Sequence, residues 1–114
     1  MKLSYEGIGQ WTATFACEQA VVGEMVKISG KGTVAPCGDG EAFCGQVRSA
    51  RQGGDACAVV LGGMVSAAYT GADPALGWTG LSGNGSGGVK SDASGRSCLV
   101  VDVDAVGKIV TFAL

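Results

Sequence analysis

The stretch Leu99-Val100-Val101-Asp102-Val103-Asp104-Ala105-Val106-Gly107-Lys108-Ile109-Val110-Thr111-Phe112-Ala113-Leu114 decides the fold class. Leu99, Val101 and Val103 alternate with Val100, Asp102 and Asp104, the period of two that marks a half-buried strand. Ala105-Val106-Gly107 reads as a turn, and the chain returns with Val110, Phe112 and Leu114 in alternation. The expectation is a C-terminal β-hairpin.

Working back from it, the same grammar recurs. Ala56 to Leu61 is a continuous apolar run, fit for a strand buried on both faces, and Met64 to Tyr69 carries it on. Gly62-Gly63 between them is expected to be a bulge or sharp bend within one long strand. Further strands are expected at Trp11–Phe15, Glu24–Ile28, Thr33–Ala35, Phe43–Arg48, Trp78–Leu81 and Val89–Lys90, with Asn84-Gly85-Ser86-Gly87-Gly88 as the clearest surface loop. No long segment shows helical spacing, and no stretch of 20–50 residues repeats. The reading is an all-β chain, a compact β-barrel or β-sandwich of about eight short strands. Residues 1–10 have weaker pattern and are expected to form an N-terminal arm, with 11–114 as a single β domain.

Composition narrows the function. Glycine supplies 21 of 114 residues and histidine none. Without histidine there is no Ser-His-Asp machinery, and the usual partner of a catalytic or zinc-binding cysteine is missing. The cysteines are Cys17, Cys37, Cys44, Cys57 and Cys98, an odd number with no C-x-x-C pair, and are expected to be reduced core residues. The net charge of −2 and the scattered lysines and arginines argue against nucleic acid. No apolar stretch approaches the ~20 residues that cross a bilayer, and no apolar segment of a secretory signal is visible, so a protein made in the cytoplasm is expected. Charged residues are 16% against a usual ~25%, a thin coat that fits surface hidden against a partner.

The acids and loops have plain structural readings. Asp39-Gly40-Glu41 is expected to be a turn, not a cation site, since the spacing of a calcium loop is absent. Asp102 and Asp104 sit two apart as a paired carboxylate would, but a solvated strand face explains them, and nothing fixes their distance to Asp55 or Asp92. The 83–88 loop lacks the Lys-Ser/Thr ending of a phosphate-binding loop and no helix follows it. No catalytic residue, cofactor site or metal site is therefore assigned. Trp78, Tyr69 and Trp11 are the large aromatics with polar handles; in a small β-protein such residues usually pack in the core or at its rim, and they are also the candidate interface anchors, Trp78 foremost because it follows the loop-like Pro74-Ala75-Leu76-Gly77.

The order of certain pieces resembles the small capsid cement, or head decoration, proteins of tailed bacteriophages. These are Val22-Gly23-Glu24-Met25-Val26, Gly32-Thr33-Val34, Asp39 to Val47, and Gly63-Met64-Val65. Gly71 to Trp78, Gly87-Gly88-Val89-Lys90 and the terminal hairpin follow. The resemblance covers roughly residues 20 to 114. It implies a non-enzymatic β-module, often a homotrimer, that binds the major capsid protein on the outer face of the virion and braces it. The five cysteines depart from that pattern. A small β-type binding module for carbohydrate or peptide, with Trp78 as its platform, is the alternative expectation, and a small enzyme built on the acids the remotest.

Overall fold

In the computed structural model, which describes residues 9–18, 20–51 and 55–114, the described residues form ten short β-strands and no helix. Most of the expected arm, residues 1–8, lies outside the described residues. The strands are β1 (Trp11–Ala16), β2 (Met25–Gly30), β3 (Thr33–Pro36), β4 (Gly45–Ala50) and β5 (Ala56–Gly62), then β6 (Met64–Thr70), β7 (Gly77–Gly83), β8 (Val89–Ser91), β9 (Arg96–Asp104) and β10 (Ile109–Ala113). They close into two small barrels, ordered β1-β3-β2-β4-β5 and β10-β6-β8-β7-β9. The all-β barrel reading therefore holds, with ten strands against about eight expected.

The two barrels have the same topology. In the first, β1 runs antiparallel to β5 and parallel to β3, and β2 pairs antiparallel with β3 and β4. In the second, β6 runs antiparallel to β10 and parallel to β8, and β7 pairs antiparallel with β8 and β9. The remaining pairs, β4 with β5 and β9 with β10, are antiparallel and each carries a register shift. The fold is thus a tandem repeat of one five-stranded unit, although the sequence shows no repeat.

Gly63 is where one unit ends and the next begins. It is not a bend inside a single strand: β5 and β6 belong to different barrels. Its φ of 109° lies in the region that L side chains rarely adopt, and a Cβ there would stand 2.8 Å from the Gly9 carbonyl oxygen.

Apolar alternation places most of the core. One cluster fills the first barrel with Cys17, Val26, Val34, Val47, Cys57 and Val59. The other fills the second barrel with residues such as Tyr69, Leu81, Val100, Val110 and Phe112, and it also takes in Met25, Cys37, Phe43 and Val60 from the first half. The Phe43 ring meets Phe112 at 5.8 Å between centroids. Backbone hydrogen bonds stitch the halves together as well, from Met25 N to Gly87 O (2.8 Å) and from Gly83 N to Glu41 O (2.8 Å). The Cα radius of gyration, 13.4 Å, is that of one compact body of this length, about 13 Å, not of two separated ones.

The terminal hairpin forms, but its faces differ from the simple alternation. Val100 is buried while Leu99 and Val101 are half-buried. The register shift at Thr111/Phe112 offsets the pairing by one residue, so Val103, beyond it, packs against the core again.

Candidate functional site

The acids expected to be structural are tied into turns. Asp104 Oδ1 accepts hydrogen bonds from the Val106 and Gly107 amides at 3.1 and 3.0 Å, closing the β9–β10 turn. Asp92 accepts from the Ser94 amide and hydroxyl, and these bonds, the hydroxyl first, hold its carboxyl below the usual range. Within the 38–41 turn, Glu41 pairs with Lys27 and accepts from the Gly38 amide, while Asp39 pairs with Lys90 at 2.9 Å. The Lys27 hydrogen bond, then the Gly38 amide, lowers the Glu41 carboxyl. Among the described residues no three Cys, Asp or Glu side chains gather where a metal ion could be held.

All five cysteines are thiols, four buried and Cys44 half-buried. Burial is the first cause that raises Cys37, to about 11, with Glu41 the next. Cys57 is pushed up to about 12, by burial and then by the neighbouring Cys17 thiol. Such thiols carry almost no thiolate near neutrality, which leaves them poor nucleophiles and metal ligands.

Two of the surface depressions among the described residues hold about 350 Å³ each, one lined by Glu18, Ser29, Thr33, Val34, Ala35 and Pro36. The other is lined by Thr14, Ser49, Ala50, Arg51, Ala56, Cys57 and Ala58. The first lining includes one carboxylate, Glu18, and two hydroxyls, Ser29 and Thr33; the second includes Arg51 and no acid. The 84–88 loop does more than span a surface: Asn84 Oδ1 accepts from the Ser86 and Gly88 amides at 2.8 and 3.1 Å, and Asn84 bridges to Asp39 of the first half.

The three candidate anchors separate. Trp78, the second residue of β7, is 74% exposed, and Trp11, the first residue of β1, is 63% exposed. Tyr69 is buried, so of its two expected readings it takes core packing and is not a surface anchor. Its ring packs in the second barrel and its hydroxyl donates to Asp73 Oδ1 at 2.6 Å. Asp73 also pairs with Lys108 at 3.4 Å, and the Lys108 ammonium lies 5.2 Å over the Tyr69 ring. The Tyr69 hydrogen bond, then that of Lys108, lowers the Asp73 carboxyl; the same Asp73 bond and then burial push Tyr69 up to about 12.

This clamp holds the base of the β6–β7 connection, and the connection carries apolar groups into solvent. Thr79 Oγ1 donates to the Ala75 carbonyl at 2.8 Å, and Gly77 takes a φ of 91°. Leu76, just before that glycine, is 68% exposed. The first half repeats the device: Val22, 63% exposed, precedes Gly23 with a φ of 92°, and the Glu24 amide donates to the Val21 carbonyl at 3.1 Å. A positive φ at both glycines turns the chain so that the preceding side chain stands outward on a fixed backbone. Sequence reasoning singled out Trp78 but missed Val21, Val22 and Leu76 as surface groups, because a lone aliphatic residue beside a turn reads equally well as core.

What the arrangement can do chemically is bind by apolar contact through groups that are already positioned, so little is lost in ordering them. No protein-family model matches the chain, and no curated protein sequence matches it.

Proposed function

We propose that this protein is a structural component that binds the outer surface of a phage capsid, as a homo-oligomer, and stabilises it against disruption. The observation that carries the reading is the set of large apolar side chains left in solvent by a fold whose core is already closed: Trp11, Val21, Val22, Ile28, Leu76 and Trp78. They stand on strands and clamped turns, and charged residues make up only 16% of the chain. Rigid apolar tips on a small barrel suit repeated docking on a lattice, where many weak contacts add up through avidity. The resemblance of the chain's segments to capsid cement proteins supports the same reading. Its partners are then the major capsid protein and further copies of itself, and its place is the virion surface.

The exposed indole of Trp78 favours a second reading, a binding module that stacks a sugar ring or a peptide side chain. Co-sedimentation separates the two. On the capsid reading the protein pellets with assembled capsids of the phage that carries its gene and stays in the supernatant with unassembled capsid subunits. The Val22→Asp variant binds more weakly, because it places a charge on an apolar tip. Pelleting absent at saturating protein, together with a tryptophan fluorescence shift on a glycan panel, would move the assignment to the second reading.

A further inference from the structure

Strand register gathers one set of polar groups on the outer face of the first barrel. Thr14 of β1 lies opposite Ala58 of β5, and Ala58 lies opposite Ser49 of β4. Two residues back along β5, Ala56 lies opposite Ala16, and its carbonyl accepts from the Arg51 amide at 2.8 Å. Thr14, Ser49 and Arg51 are exposed and the two alanines half-buried, whereas Cys57 between the alanines is buried. The period of two therefore puts Thr14, Ala56, Ala58 and Ser49 on the outside of the barrel.

Short side chains on the middle strand and longer ones on its neighbours make a trough. It holds about 350 Å³, within the range of roughly 300–1,000 Å³ typical of small-molecule sites. Ala56 and Ala58 supply its methyl floor, and Thr14, Ser49 and Arg51 supply hydroxyl and guanidinium groups along its sides. Its described lining holds one cation and no acid. The ion pairs among the described residues use Lys27, Lys90 and Lys108, so the Arg51 guanidinium is not spent on a carboxylate of this chain.

We propose that this trough binds a phosphate group. A guanidinium offers parallel N–H donors that match two oxygens of an oxyanion at once. The hydroxyls come from two other strands and can donate to further oxygens. A tetrahedral phosphate presents oxygens in all these directions, whereas a planar carboxylate presents two in one plane. A cation finds no carboxylate ligand here. The methyl floor leaves room beside the anion for the organic part of a phosphomonoester. Arg51 is exposed, so its attraction is weakened by water and salt, and a Kd on the order of 1 mM is expected.

The trough is separate from the apolar tips on which the proposed function rests, and neither reading depends on the other.

Amide chemical-shift titrations of the whole chain with inorganic phosphate, phenyl phosphate and acetate, at constant ionic strength, test it. Both phosphates are expected to give saturable shifts centred on Thr14, Ser49, Arg51 and Ala58, and acetate none. Tighter binding of phenyl phosphate assigns the site to a phosphomonoester, and equal affinities assign it to the free anion. Arg51→Gln, at an exposed position, is expected to weaken binding at least about tenfold with the rest of the spectrum unchanged. Lys31→Gln, exposed on the β2–β3 turn, is expected to bind as the wild type does. The absence of saturable phosphate shifts, acetate binding as tight as phosphate, an Arg51→Gln variant that binds as the wild type does, or an equal loss in Lys31→Gln would each overturn the proposal.

Discussion

Tyr69, Asp73 and Lys108 show how single residues shape an exposed apolar surface they do not join. The phenol holds Asp73, Lys108 covers the ring, and together they fix the start of the connection that presents Leu76 and Trp78. Asp73 raises the Tyr69 pKa to about 12 in the folded chain, above the ordinary value of 10.0. Between those values the unfolded chain has lost the phenolic proton and the folded chain keeps it, so the folded chain binds more protons and stability falls as pH rises. The unfolding midpoint in urea is expected to drop from about pH 9 to about pH 11, and to drop less in Tyr69→Phe; equal losses would show that Tyr69 is not the group responsible. The thiols give a second check. With Cys37 at about 11 against 9.0, its thiolate fraction near pH 8 is about 100-fold lower than in the unfolded chain, and buried thiols are expected to react with a disulfide reagent at least that much more slowly in native buffer than in urea. Matched rates would mean that the core opens readily. From the sequence, Tyr69 and Trp78 are equivalent aromatics on β-type runs. What separates them is the outward turn at Gly77 and the inward pleat of β6, which depend on the closed barrel.

At the scale of elements, most strands were legible because their residues alternate or run apolar between turn signals. Ala56–Leu61 and Met64–Tyr69 fall almost residue for residue on β5 and β6. The break between them was misread as a bend, since a glycine pair looks the same whether the strand resumes in its own sheet or starts another. Gly63→Ala is expected to destabilise the fold by about 2 kcal/mol or more, through the positive φ and the close Gly9 carbonyl; thermal denaturation with an unchanged midpoint would show that the junction relaxes freely. The faces of β9 were misassigned for a related reason: a one-residue register shift is a property of the pair, invisible in either strand alone. Phe43 tests the contact between elements. It precedes β4 of the first half, yet its ring packs on Phe112, with the Arg96 guanidinium 5.6 Å from its centroid. Phe43→Ala is expected to cost about 3–5 kcal/mol, and a urea titration showing less than about 1 kcal/mol would place the ring outside the core.

At the scale of the molecule, the chain is one five-stranded unit used twice, with the first half supplying core residues to the second. The repeat escaped the sequence because pairing order is set by which strands meet, while the residues that fill each barrel differ: Cys17, Cys57 and a set of valines in one, Tyr69, Leu81 and Phe112 in the other. The shared core predicts one cooperative unfolding transition, with equal calorimetric and van't Hoff enthalpies; two separate transitions would mean that the barrels are independent. On that closed frame, apolar side chains stand outward from both halves, and the proposed role uses them for contact with a capsid lattice. The proposed capsid-binding role is tested most directly by pelleting purified protein with assembled phage capsids. The account predicts saturable co-sedimentation at a fixed ratio to the major capsid protein, weakened by Val22→Asp and absent with unassembled subunits. Protein that remains in the supernatant at every concentration would contradict it.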